Sequence, residues 1–184
     1  MEQKSTFWKS AMVYGLYIGI FFMLFSVILY VTGQTNNKTL GYISFPLYAV
    51  AIALVQLHYR NNELNGSISY GQAISFAVAA MFFSGIITAL YTLILYSFID
   101  PSLVEQMKTL QEEALLQRGM SEDQIEAAMS MSSKMMTPGW MSIMGLFGSV
   151  LMGAIISLIT SIFVKKQPNE DAFEEAMEDV KTEE

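Results

Sequence analysis

Methionine is the residue type in this chain whose clustering could build a ligand site. Seven of the 14 methionines lie between 120 and 144, namely Met120, Met129, Met131, Met135, Met136, Met141 and Met144. Thioether sulfurs are soft donors that suit Cu(I). Methionine also fills irregular apolar gaps in helices. Because no histidine or cysteine accompanies the cluster, gap filling is the preferred interpretation, and we predict no metal site and no cofactor.

Other groups able to do chemistry are scarce. The chain has no cysteine, which excludes thiolate zinc sites, Fe–S clusters, disulfides and cysteine nucleophiles. Its one histidine, His58, follows an apolar stretch beside Tyr59 and Arg60, as an interfacial residue would. The sequence contains no HExxH, GxSxG or P-loop motif. We therefore predict no catalytic residue and no enzymatic activity.

Four long stretches carry almost no charge, although 15% of the whole chain is charged and 53% is hydrophobic. A transmembrane helix needs about 20 apolar residues. A chain of 184 residues is too short to bury four helices that are apolar on every face. We predict an all-α membrane protein with four transmembrane helices and a two-helix amphipathic loop between the third and fourth. The predicted spans are 11–31, 40–57, 73–99 and 140–164.

The first span could instead be a signal peptide, since Lys4 and Lys9 precede it. Its apolar run of 21 residues exceeds the usual core of about 7–15 residues, and no small-x-small cleavage site follows it. We predict a retained helix. No span contains an ionisable residue that would mark a proton or ion path.

Basic residues set the predicted orientation. With the N-terminus inside, six lie on the inner side and four on the outer side. The inner six are Lys4, Lys9, Arg60, Lys165, Lys166 and Lys181, and the outer four are Lys38, Lys108, Arg118 and Lys134. We expect a bacterial inner-membrane protein with both termini in the cytoplasm. No basic cluster exceeds Lys165–Lys166, so we expect no nucleic-acid partner.

The chain divides into a transmembrane domain over 1–166 and a cytoplasmic tail over 167–184. The tail contains eight acidic residues and one lysine, which is typical of a solvated, disordered segment. Its apolar residues Phe173, Met177 and Val180 share one helical face. A short helix that docks on a cytoplasmic partner is therefore the alternative.

The outward loop, residues 100–139, predicts two helices. Asp100 and Pro101 can start the first, and Gly119 can end it. Ser121 and Gln124 form a capping box for the second. Each helix has an apolar face, formed by Met107, Leu110, Ile125, Met129 and Met136 among others. That face could lie on the membrane or the bundle, which is the ordinary use, or could dock a partner.

Small residues recur at four-residue spacing in two spans and predict close helix packing. The first span contains Gly15 and Gly19; the fourth contains Gly145, Ser149, Gly153, Ser157 and Ser161. The partner surface could belong to the same chain or to a second copy. Tyr14 in the first span and Tyr91 in the third lie deep, and each is expected to find a hydrogen-bond partner on a neighbouring helix.

Two segments resemble one known family. Asn65-Gly66-Ser67-Ile68-Ser69-Tyr70-Gly71-Gln72-Ala73 precedes the third span, and Tyr96-Ser97-Phe98-Ile99-Asp100-Pro101 follows it. Together with the glycine-rich last span ending at Phe163-Val164-Lys165-Lys166, they resemble the bacterial domain of unknown function DUF4199, found chiefly in Bacteroidetes-type bacteria. The resemblance covers residues 5–166. It implies four inner-membrane helices and carries no activity, cofactor or catalytic residue.

Two functions fit these features. The first is a non-enzymatic accessory or scaffold subunit that contacts the lipid bilayer and a membrane-protein partner or a second copy of itself. The alternative is a small oligomeric transporter or channel, with Gln56, Ser84, Thr88 and Thr92 as its polar lining. Burial of these polar residues against the small residues of the fourth span would favour the first. A stripe facing an oligomer cavity would favour the second.

Overall fold

The computed structural model describes residues 2–166, apart from the side chains of residues 2–5 and of Lys38. Six α-helices and one π-helical turn follow one another along the chain. They are α1 (Glu2–Val31), α2 (Lys38–Glu63), α3 (Tyr70–Ile94) with the π-helical turn Leu95–Ile99, α4 (Ser102–Gln117), α5 (Glu122–Met135) and α6 (Pro138–Val164). The acidic tail, residues 167–184, for which we predict a disordered segment with a short helix as the alternative, lies outside the described residues.

Four of these helices are long and apolar enough to cross a membrane, which confirms the predicted fold class. The candidate spans are Thr6–Val31, Thr39–Glu63, Tyr70–Ile99 and Pro138–Val164. The second reaches six residues beyond the predicted end at Leu57. Hydropathy misses that extension because His58, Arg60 and Glu63 are polar, although Tyr59 in the same turn is buried.

The second, third and fourth spans each begin at a residue whose side chain caps the helix. Asn37 caps α2 through Oδ1, which accepts hydrogen bonds from the backbone N–H groups of Thr39 and Leu40. Ser69 and Gln72 form a capping box at the start of α3, and Thr137 caps α6 ahead of Pro138. These side chains satisfy backbone donors that a helix start leaves unpaired. The caps therefore fix where each span begins.

Helix α3 lies at the centre of the bundle, packed against α1 on one side and α6 on the other. Helix α2 packs mainly on α6 and makes little contact with α1. One core cluster gathers Ala11, Tyr59, Phe76 and Val164, and a second contains Ile18, Ile52 and Met81. Tyr59 is stacked on Phe76 with ring centroids 3.7 Å apart.

The two-helix loop breaks as the sequence predicts. Gly119 has φ of +75°, a conformation that favours glycine, and its N–H donates to the carbonyl of Leu116. The N–H of Met120 donates to the carbonyl of Leu115, which completes a helix-ending motif. The side chain of Gln124 accepts from the N–H of Ser121 at 3.0 Å within a capping box. We call α4 and α5 the hairpin, and the end of the bundle that carries it the hairpin end.

Helix α4 begins one residue later than the sequence predicts, at Ser102. Asp100 still acts at this end, because its Oδ1 accepts from the backbone N–H of Ser102 at 3.1 Å. Its other carboxylate oxygen accepts from the hydroxyl of Tyr30 on α1 at 3.4 Å. Asp100 thus ties the exit of α3 to the end of α1.

Candidate functional site

The GxxxG pair of α1 lies directly against α3. A Cβ atom added to Gly15 would collide with the carbonyl oxygen of Ala80 and the Cβ of Phe83. A Cβ on Gly19 would lie 2.9 Å from the Cβ of Ile87. Real Cβ atoms do not approach backbone and Cβ atoms that closely. Both glycines therefore sit where α1 and α3 are in backbone contact.

The small-residue stripe of α6 packs within the same chain over four of its five positions. Gly153 faces Met81 of α3, and a Cβ atom added to Gly153 would lie 2.7 Å from the Cβ of Met81. Ser149 lies opposite Gly85 and donates to the carbonyl of Met81 at 3.3 Å. Ser157 and Ser161 are fully buried. Gly145 differs, because it is exposed and has open space around the position of a Cβ.

Gln56 of α2 forms the centre of a buried hydrogen-bond network. Its side chain has no exposed surface. The amide nitrogen donates to the carbonyl of Ala73 at 3.1 Å and to the hydroxyl of Ser161 at 2.9 Å. The amide oxygen accepts from the hydroxyl of Thr160 at 2.8 Å. This one side chain therefore links α2, α3 and α6.

The polar residues proposed as a channel lining do not form one continuous stripe. Gln56 is bound to the small-residue face of α6, and Ser84 is buried beside Gly19 of α1. Thr88 donates to the carbonyls of Ser84 and Gly85 in its own helix. Together with Thr92 it borders a cavity toward the hairpin end. Gln56 is therefore buried against α6 and does not line this cavity.

Two tertiary contacts join the chain segments at the end of the bundle opposite the hairpin, and we call them the clamp. Ile68 and Lys166 pair as an isolated antiparallel bridge, with N–H···O distances of 2.8 and 3.0 Å. Arg60 donates from a guanidinium nitrogen to the carbonyl of Val164 at 2.9 Å. The sequence analysis did not predict this clamp. It did place Arg60 near the end of a span, and it noted the segment around Gly66–Ile68 as part of the family resemblance.

A groove of about 710 Å³ runs between the two hairpin helices. Leu116, Ile125 and Met129 supply apolar surface, and three carboxylates share the lining: Glu112, Glu122 and Glu126. The ion pair between Lys108 and Glu105 lies outside this lining, and none of the three lining carboxylates has an ion-pair partner among the described residues. The groove is therefore both acidic and apolar. We call it the hairpin groove.

The methionine cluster is spread along α5 and the start of α6. Met131 and Met135 are exposed on α5, and Met144 is exposed on α6. Met129 lines the hairpin groove. Among the described residues, no three histidine, aspartate or glutamate side chains form a group that could hold a metal ion.

Four apolar spans, a central helix packed through glycines, and a charged hairpin at one end define a multi-pass α-helical membrane protein. Residues 13–166 match the family model described as Protein of unknown function (DUF4199), and the chain belongs to that family. No curated protein and no solved structure matches the chain.

Proposed function

We propose that this protein is a non-enzymatic accessory or scaffold subunit of a bacterial inner membrane, with both termini in the cytoplasm and the hairpin outside. Its partner is a protein that inserts a basic, amphipathic segment into the hairpin groove. The observation that carries this proposal is the groove itself, in which three carboxylates that have no ion-pair partner among the described residues border apolar surface.

The bundle and the hairpin have different properties, and this difference supports a scaffold. The Gln56 network and the glycine contacts use the polar and small residues of the spans to hold the helices together. On the hairpin, by contrast, Leu110, Leu116 and Met131 are exposed. Helix α5 packs chiefly on α4 rather than on the spans. Exposed apolar side chains beside unpaired charges are typical of a binding surface.

Charge selects the class of partner. Residues 100–139 include seven acidic and three basic residues, so a second copy would bring like charge to the groove. Like charges brought together across an interface oppose binding, whereas a basic segment is attracted and oriented. A partner with lysine or arginine beside apolar side chains therefore fits better than self-association.

Charge reversal in the groove should abolish partner binding. The variant E112K/E126K places two lysines in the groove, and E113K/D123K makes the same change in net charge at exposed hairpin residues outside the groove lining. After purification in mild detergent, proteins bound to the wild type should be at least tenfold depleted from the groove variant in quantitative mass spectrometry. They should remain bound to the control variant. Equal retention by both variants would contradict docking at the groove.

Labelling of single cysteines tests the orientation. Ser130 of the hairpin and Asn61 at the far end of α2 are both exposed, so a cysteine at either position is accessible from its own side. A membrane-impermeant thiol reagent, applied to intact cells with a permeabilised outer membrane, should label Ser130→Cys and leave Asn61→Cys unlabelled. Lysed cells should show both labelled. The opposite pattern in intact cells would invert the orientation.

A further inference from the structure

A cavity of about 230 Å³ lies toward the hairpin end, where α1, α2 and α3 face one another. Phe22 of α1 and Tyr48 of α2 form part of its wall and are stacked, with ring centroids 3.7 Å apart. Ser26 lies five residues before the end of α1, which places the cavity about 7–8 Å below that helix end at 1.5 Å per residue. The cavity is therefore within the apolar part of the bundle.

Some of the hydroxyl groups on the residues around the cavity have hydrogen-bond partners in the protein, and others have none among the described residues. Ser44 and Thr88 donate to carbonyl oxygens of their own helices. Ser26, Tyr48 and Thr92, one from each helix, line the cavity, and their hydroxyls have no hydrogen-bond partner among the described residues. A polar group without a partner is costly at this depth, because lipid offers no hydrogen bonds.

Tyr91 also lines the cavity. Its hydroxyl is fully buried and has no hydrogen-bond partner among the described residues. The expectation that a neighbouring helix would supply that partner is therefore wrong for Tyr91.

We propose that this cavity binds an uncharged ring ketone dissolved in the membrane, such as the head group of a quinone. Each free hydroxyl can donate a hydrogen bond, and a ligand that carries carbonyl oxygens supplies the acceptors for them. None of the lining residues is charged, so a charged head group would lack a counter-charge. The stacked Phe22 and Tyr48 offer an aromatic wall to a flat ring.

Size agrees with this class of ligand. An apolar protein cavity of about 150 Å³ accommodates benzene, so this larger cavity has room for a substituted six-membered ring. The ester carbonyls of glycerolipids are the other carbonyl groups in a membrane, and they lie at the boundary between head groups and hydrocarbon. A ring ketone, unlike a lipid ester, also has a flat face that can lie against the aromatic pair Phe22 and Tyr48.

The test is binding of decyl-benzoquinone to the full-length protein in phospholipid nanodiscs, followed by ligand-detected NMR, with empty nanodiscs correcting for partition. The wild type should bind it saturably. The variant S26A/Y48F/T92V, which removes the three free hydroxyls and keeps the ring of Tyr48, should bind about 30-fold more weakly. Ser142→Ala of α6 is the control, because it removes a hydroxyl that lies outside the cavity lining and is already bonded to the carbonyl of Pro138, and this variant should bind as the wild type does.

Thermal unfolding of each variant checks that the bundle is intact, so that lost binding is not lost folding. Equal affinity of the triple variant and the wild type would overturn the proposal, and so would the absence of saturable binding, since water would then fill the cavity. Nanodiscs of ether-linked phospholipid, which lack ester carbonyls, distinguish the second source. Clearly tighter quinone binding in them would make the lipid ester the natural occupant and overturn the ring-ketone assignment.

Discussion

Replacing Gly153 with leucine is expected to lower the free energy of unfolding of the bundle by about 1–3 kcal/mol, the usual cost of overpacking a close contact. Gly153 faces Met81, and even a Cβ atom there would lie 2.7 Å from the Cβ of Met81. That atom is fixed to the backbone of α3, so a rotamer change cannot move it away. The two helices must separate, which removes contacts along the whole interface.

Ile155→Leu is the matched control for this prediction. Ile155 lies two residues away in the same helix and is 49% exposed, so a change of branching there meets lipid rather than α3. Its effect should be within about 0.5 kcal/mol. Both variants are measured by thermal unfolding in detergent, followed by circular dichroism. Equal midpoints for Gly153→Leu and Ile155→Leu would remove Gly153 from the contact between α3 and α6.

Gln56→Met should lower the free energy of unfolding by about 2 kcal/mol. Methionine has a similar size and shape, so the change removes hydrogen bonds with little loss of packing. Gln56 makes three such bonds, to Ala73, Ser161 and Thr160. Hydrogen bonds between helices in a membrane contribute about 0.6 kcal/mol each on average and up to about 1.7 kcal/mol. All three are lost together, which makes this position more sensitive than most.

A double-mutant cycle with Thr160→Val separates the hydrogen bond from packing. If the Gln56–Thr160 bond stabilises the bundle, the two substitutions together should cost less than the sum of their separate costs. Leu54→Met, at a 59% exposed position of the same helix, controls for introducing methionine into α2. Strictly additive effects of the two substitutions would show that this bond contributes nothing.

Local chemistry explains why much of the fold could be predicted. The four spans follow from long uncharged stretches, because crossing lipid requires a continuous apolar helix whatever its neighbours are. The break at Gly119 follows from a glycine, a serine and a glutamine within six residues. Helix caps bond to their own backbone, so no tertiary contact is needed to place them. The second span continues through a polar segment from His58 to Glu63, and the prediction from hydropathy therefore placed the end of that helix too early.

The sequence by itself determined the number of spans, the two-helix hairpin and the presence of small residues that let helices approach closely. Only the tertiary structure decided which surfaces meet. It placed Gly153 on Met81, left Gly145 exposed and joined Gln56 to α6. It also left three hydroxyls around one cavity without a hydrogen-bond partner among the described residues. The reason is that a helix apolar on every face has no preferred side in its own sequence. Its rotation, and the choice of neighbour, come from how all four helices fit together at once.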